Sequence, residues 1–211
     1  MSKGIFIVLE GPDGSGKSTQ AARLARALEG RGLAVERVRD PGGTPAGEEI
    51  RRLLLGGTPI DRAAETFLFL ASRAQLVAER VRPALDAGRV VVSERFSLST
   101  VVYQGAATDL ASDAAALDRL RAAVALAADG AAPDAVIVLD VPPEAGLARK
   151  DGSGAARDRI EGRGEVFQRR VREAYLSEAG RDPRAIVVPP GTEDETHRRV
   201  LAAVEPLLAR R

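Results

Sequence analysis

An apolar run, Ile5-Phe6-Ile7-Val8-Leu9, passes through Glu10 directly into Gly11-Pro12-Asp13-Gly14-Ser15-Gly16-Lys17-Ser18. The G-x-x-x-x-G-K-S spacing constrains the fold more than any other feature, because it works only as a turn between a buried strand and a helix. Its glycines let the backbone curl so that consecutive N–H groups converge on phosphate oxygens, and the helix behind adds its positive end. A Gly-rich turn that matched by chance would lack those surroundings. Here Gln20 to Arg31 supplies the helix, with Leu24, Ala25 and Leu28 on one face and Arg23, Arg26 and Glu29 on another. Gly11, Pro12, Asp13, Gly14, Ser15, Gly16, Lys17, Ser18 and Thr19 are therefore the expected cradle for nucleotide phosphates. Lys17 would reach the terminal phosphates, and the Ser18 hydroxyl would ligate Mg²⁺.

The rest of the chain alternates in the same way. Apolar strand patterns fall at 5–9, 34–38, 90–93, 135–139 and 186–188. Helical patterns fall at 19–31, 46–55, 63–87, 113–128, 143–150, 165–179 and 193–209. Short V/I/L-rich runs separated by helices predict a five-stranded parallel sheet with helices on both faces, a three-layer α/β fold. Right-handed crossovers would bring the loops that follow the strands to one edge, where the site belongs. With no repeat and no linker, residues 1–211 read as a single domain. Segment 151–164, rich in Gly, Arg and Asp, reads as either a solvated loop or a basic lid over phosphates, the lid spanning about 149–164. Segment 105–113 reads as a plain surface loop.

Composition removes several chemistries. The chain has no cysteine, so disulfides, thiolate catalysis and zinc–thiolate sites are excluded. Its single histidine, His197, lies in a polar helical stretch and reads as a solvated surface residue. A net charge of +1 provides no global field for nucleic acid. No apolar stretch approaches the ~20 residues needed to span a bilayer, so no membrane partner is expected. The first residues read as strand rather than signal sequence, and the cytoplasm is the expected compartment.

A phosphate loop identifies a nucleotide, not a reaction. No N-K-x-D guanine-reading motif is present, and Val90-Val91-Val92 ends in Ser93-Glu94-Arg95 rather than Asp-Glu. Further blocks follow in order: Arg39-Asp40-Pro41-Gly42-Gly43-Thr44, Phe69-Leu70-Ala71-Ser72-Arg73, Glu94-Arg95-Phe96 through Ser99-Thr100, Tyr103-Gln104-Gly105, and Asp158-Arg159-Ile160-Glu161. With these blocks the chain resembles the bacterial thymidylate kinases nearly end to end, within the P-loop nucleoside monophosphate kinases. The resemblance implies a P-loop kinase fold with a short basic lid, ATP as co-substrate with Mg²⁺, dTMP as acceptor, and a homodimer. Apolar residues in 46–55 and 63–87 would supply the subunit interface, or simply cover the sheet.

The resemblance also assigns residues. Phe69 would stack on thymine, and Arg73, four residues on and so on the same helical face, would bond a pyrimidine carbonyl. Ser99 lies in the substrate block. Thr100 and Gln104, one helical turn apart, would complete the base edge, and Tyr103 would pack under the sugar. Arg95 would grip the dTMP phosphate, with Arg39 beside it. Their plainer reading is ion pairing with Glu94 or Asp40. Asp13 would contact the sugar 3′-hydroxyl, and Glu94 would orient Mg²⁺ or its water shell. Lid cations Arg149, Arg157 and Arg159 are candidates for the transition-state charge. Arg149 or the turn 189–192 would border adenine.

The chain departs from the family at Glu94 and Asp40, where Asp and Glu are usual, and at Leu70, where many relatives carry Tyr. Each charge is kept but moved by one methylene. Two other readings stay open at this point: another monophosphate or deoxynucleoside kinase, and a catalytically weak nucleotide-binding protein.

Overall fold

The computed structural model describes residues 4–152 and 164–209. Its sheet contains β1 (Ile5–Glu10), β2 (Val35–Arg39), β3 (Val90–Glu94), β4 (Ala135–Leu139) and β5 (Ala185–Val188), all parallel in the order β2-β3-β1-β4-β5. The expected α/β architecture is present. β1 is central, with Ile5 opposite Val90 on one side and Ile7 opposite Ala135 on the other.

Buried on both faces, β1 shows why a continuous apolar run was needed. Ile5, Ile7 and Leu9 face α1 (Lys17–Glu29) and α9 (Glu193–Leu208) through Leu24, Leu28, Val200 and Val204. Phe6 and Val8 face the opposite layer. That layer includes α2 (Pro45–Leu55), α3 (Arg62–Leu76) and α4 (Arg82–Asp86). Burying a side chain such as Leu24 or Leu28, both fully inaccessible, contributes roughly 1.5–3 kcal/mol. By the strand's period of two, Glu10 falls on the Phe6 face.

The helix expected at 63–87 is interrupted. Between α3 and α4 the segment Val77–Val81 is π-helical. After β3 come the single turn α5 (Ser97–Thr100) and a second π-helical segment, Val101–Ala106. Then follow α6 (Ala114–Ala128), α7 (Pro143–Gly152) and α8 (Glu165–Ala179).

The surface-loop reading of 105–113 is corrected in part. Gly105 is buried in the π-helical segment, where a Cβ would come within 2.7 Å of Leu120 and 2.8 Å of Leu117. Residues Asp109–Ser112 form a 3₁₀ turn. His197 is half-buried rather than solvated, and burial lowers its pKa. Among the described residues, no helix is long and apolar enough to cross a membrane.

Candidate active site

The loops after β1, β2 and β3 meet α3 and α7 around a cavity of about 850 Å³. Its floor is the glycine loop. Gly11, Gly14 and Gly16 all have positive φ, at 137°, 71° and 88°, a region other residues enter only with strain. Two of them also lack room for a side chain. A Cβ on Gly11 would lie 2.5 Å from the Leu139 carbonyl oxygen, and one on Gly14 would lie 2.1 Å from that of Gly146 in α7. Gly146 is equally tight, 2.5 Å from the Asp13 carbonyl oxygen.

Gly16 is the N-cap of α1 and provides no side-chain cap, so the first N–H groups of the helix are left to other acceptors. Lys17 folds over the loop: Nζ donates to the Gly11 and Pro12 carbonyls at 3.0 and 2.6 Å and to Ser15 Oγ at 3.2 Å. Ser18 and Thr19 line the cavity, as does Glu94 at the end of β3. Arg149 reaches back from α7, its Nη1 donating to the Gly14 carbonyl at 3.3 Å.

Arg95 occupies the turn after β3 with φ of 64°, a left-handed backbone that costs a non-glycine residue about 1–3 kcal/mol. Its Nη1 donates to Ser99 Oγ at 3.0 Å, Tyr175 Oη at 3.0 Å and the Gly11 carbonyl at 3.2 Å. Its Nη2 donates to Asp13, and the guanidinium lies 5.1 Å from the Tyr103 ring centroid. Tyr103 in turn donates to Asp13 Oδ2 at 2.9 Å. Burial opposes the charge on Arg95, but the Asp13 and Glu10 carboxylates favour it, and its pKa lies above the ordinary arginine value. Burial raises the pKa of the Tyr103 and Tyr175 hydroxyls well above 10.0, and both stay protonated.

The other end of the cavity is held by α3. Phe69 lines it while also packing with Val102 and Tyr103, so core filler and site ring are one residue. Arg73 is 1% exposed. Its Nε donates to Asp40 Oδ2 at 2.6 Å, and its Nη2 to the Phe96 carbonyl at 3.0 Å and Thr100 Oγ1 at 2.8 Å. Nη1 has no hydrogen-bond partner among the described residues, although the side chain lines the cavity. Burial pushes the Asp40 carboxyl up, against the pull of Arg73. Gln104 donates to buried Glu65 at 2.9 Å.

Every expected residue from Gly11 to Arg149 that is described here converges on this cavity except three. Gly11 and Pro12 sit behind the loop, bonded to Lys17, and Ser15 lies beneath Lys17. The expected ion pairs are corrected. Arg95 pairs with Asp13 rather than Glu94, Arg39 with Glu48 at 2.8 Å, and Glu94 approaches Arg37 at 3.9 Å. Leu70 packs toward α6 with Leu117 and Leu120. The turn 189–192 serves α9, which Thr192 and Glu195 cap reciprocally. Arg157 and Arg159 lie outside the described residues. Sequence reasoning missed Glu10 and Tyr175, both fully buried against Arg95, and Arg51, which lines the cavity. A carboxylate ending an otherwise apolar central strand was the available signal.

Ser18 and Glu94 offer one hydroxyl and one carboxylate to the same cavity. The described residues hold no cluster of three or more metal-binding side chains. That sparse donor set fits Mg²⁺, which takes most of its ligands from phosphate and water.

Comparison with known proteins finds relatives along nearly the whole chain. A family model described as thymidylate kinase fits residues 9–200. A thymidylate kinase of Deinococcus radiodurans is 42% identical over 207 residues, covering 97% of this chain and 98% of that one. One of Rhizorhabdus wittichii is 42% identical over 211 residues, covering 97% and 99%. The crystal structure of thymidylate kinase from Ehrlichia chaffeensis superposes with a TM-score of 0.75 at 29% identity, covering 96% of this chain and 99% of that one.

Proposed function

The chain belongs to the thymidylate kinase family, and from that premise we propose how its residues move the γ-phosphoryl group of ATP onto dTMP. An oxygen of the dTMP phosphate forms the new bond to the γ-phosphorus. The bond to the β–γ bridging oxygen breaks, its electron pair leaves with ADP, and dTDP is the product. Such a transfer asks the protein mainly for alignment and charge neutralisation.

The carrying observation is that Lys17, Arg95, Phe69 and Arg73 line one chamber. A donor-phosphate cradle, an acceptor-phosphate cation and a base slot thus share a single space. Lys17 and the open N–H groups of α1 bind the ATP phosphates. Arg95 holds the dTMP phosphate, and Asp13, bonded to both Arg95 and Tyr103, orients the sugar hydroxyl. Phe69 stacks on thymine while Arg73 and Thr100 address its edge, with Gln104 behind them. Arg39 lines the same chamber, but its pairing with Glu48 makes it an auxiliary cation. Ser18 and Glu94 would hold Mg²⁺, which when bound would offset the negative charge of the phosphates. Arg149, already at the phosphate loop, supplies further charge; Arg157 and Arg159, outside the described residues, are the proposed lid cations.

The first test is ADP release with Mg²⁺ and ATP across dTMP, dUMP, dCMP, dGMP, AMP and no acceptor. Strong stimulation is expected with dTMP, and less with dUMP. Stimulation by another monophosphate overturns the base slot, and ATP binding without stimulation overturns the kinase reading. In the same assay Arg149→Ala is expected to lower kcat about 10²-fold with dTMP affinity retained.

We also propose a cytoplasmic homodimer. Phe67 on α3, 68% exposed, and Leu53 on α2, 43% exposed, place apolar surface where a second copy would cover it. Sedimentation equilibrium should return the mass of two chains; a single-chain mass at micromolar concentration overturns this.

A further inference from the structure

We propose that Glu10 is a positioning residue that aims Arg95 through the hydroxyls of Ser99 and Tyr175; this rests on Arg95 holding the acceptor phosphate. Glu10 is fully inaccessible and accepts four hydrogen bonds. Oε1 takes the Phe96 and Ser99 backbone N–H groups at 2.8 and 3.1 Å. Oε2 takes the Ser99 hydroxyl at 2.6 Å and the Tyr175 hydroxyl at 3.1 Å.

Direction is what matters. A hydroxyl has one proton to donate and lone pairs to accept with. The Ser99 proton goes to Glu10, and the Tyr175 proton is shared between Glu10 and Ser99 Oγ, 2.8 Å away. Both oxygens are thereby committed to accept from Arg95 Nη1, each at 3.0 Å. Burial raises the Glu10 pKa, while Arg95, the Ser99 hydroxyl and the two backbone N–H groups favour the ionised form; as a carboxylate it enforces this polarity because it can only accept.

The same residue also secures the backbone. Phe96 directly follows Arg95 and Ser99 lies four residues on; the φ of 64° at Arg95 needs support from its surroundings. The two N–H groups bonded to Oε1 anchor that turn to the central strand, and Arg95 N donates to the Leu9 carbonyl at 2.9 Å. Glu10 therefore fixes both ends of Arg95, its peptide and its guanidinium, while lying behind it rather than in the chamber.

Glu10→Gln keeps the shape but cannot keep the polarity. With its carbonyl on the two backbone N–H groups, its NH₂ faces the hydroxyls and donates to them. Their protons then turn toward Arg95 Nη1, a donor meeting donors. The test compares binding of dTMP and thymidine by calorimetry in the wild type, Glu10→Gln, Tyr175→Phe and Arg95→Ala. Positioning through the phosphate clamp predicts that Glu10→Gln loses about 10-fold or more of the preference for dTMP over thymidine, with thymidine affinity unchanged. Tyr175→Phe should lose a smaller part of the same preference. Equal weakening of both ligands marks a merely structural role and overturns the proposal. If Glu10→Gln does not fold, Tyr175→Phe decides alone: an unchanged preference overturns it. Arg95→Ala separates the two levels. If it keeps the preference, the phosphate-clamp reading has failed. If it loses the preference while Glu10→Gln and Tyr175→Phe keep it, only the Glu10 proposal has failed.

Discussion

Lys17→Ala should abolish phosphoryl transfer while leaving the protein folded. Lys17 Nζ sits over the loop at 2.6–3.2 Å from Gly11, Pro12 and Ser15 acceptors. It can swing from those acceptors to a polyphosphate without unfolding anything. Removing a charge-stabilising donor from such a site lowers kcat by about 10²–10³-fold. The loop itself should persist, because Gly11, Gly14 and Gly16 set its curl and Leu24 and Leu28 seat the following helix. Stability should fall by no more than about 1.5–3 kcal/mol, the range for hydrogen bonds to a charged group. Lys17→Arg is not expected to rescue turnover, since a planar fork does not replace a compact ammonium. Rapid-quench measurement of ADP formation with saturating dTMP checks this; turnover within tenfold of wild type would show that the terminal phosphates are held elsewhere.

The second large effect concerns stability. Arg73→Met strands Asp40, a carboxylate already 0% exposed at its side chain, without the guanidinium 2.6 Å away. Breaking one side of a buried ion pair costs about 3–5 kcal/mol. For a chain of this size that is roughly a 6–20 °C fall in Tm. Replacing both partners, as in Arg73→Met with Asp40→Leu, should recover part of the loss, because an apolar pair leaves no buried charge.

The deficit should also depend on pH. Burial raises the Asp40 carboxyl even with Arg73 present, and without it only the weaker pull of Arg95 and Arg51 opposes that rise. The native state then binds a proton that the unfolded chain has released. Stability falls as pH rises from the unfolded carboxylate value of about 4 up to the raised native value. Thermal unfolding at pH 5 and pH 8 should show a smaller gap to wild type at pH 5. A gap that is independent of pH would mean that Asp40 finds another partner.

Most of the framework could be read in advance because it depends on periodicity. Continuous apolar runs marked the strands, and 3.6-residue patterns marked the helices between them. The two π-helical segments could not be read, because a change from i+4 to i+5 bonding leaves no mark on the side chains. Gly105 misled for a related reason. A glycine next to polar residues looks like a loop, but this one makes room for Leu117 and Leu120. Site residues were legible where a block of motif carried them, and their partners were not. Arg95 has a choice of carboxylates in sequence, and only the folded geometry selects Asp13. Glu10 stayed hidden because its role depends on Tyr175, 165 residues away.

Where Asp13-Gly14 meets Gly146, two main chains touch with no side chain between them. Side chains act as cushions: they rotate and absorb small shifts, whereas touching backbones cannot. Any outward movement of the phosphate loop must therefore be passed to α7, and with it to Arg149 one turn further on. The loop and the first turns of α7 are coupled as a crank is to its rod.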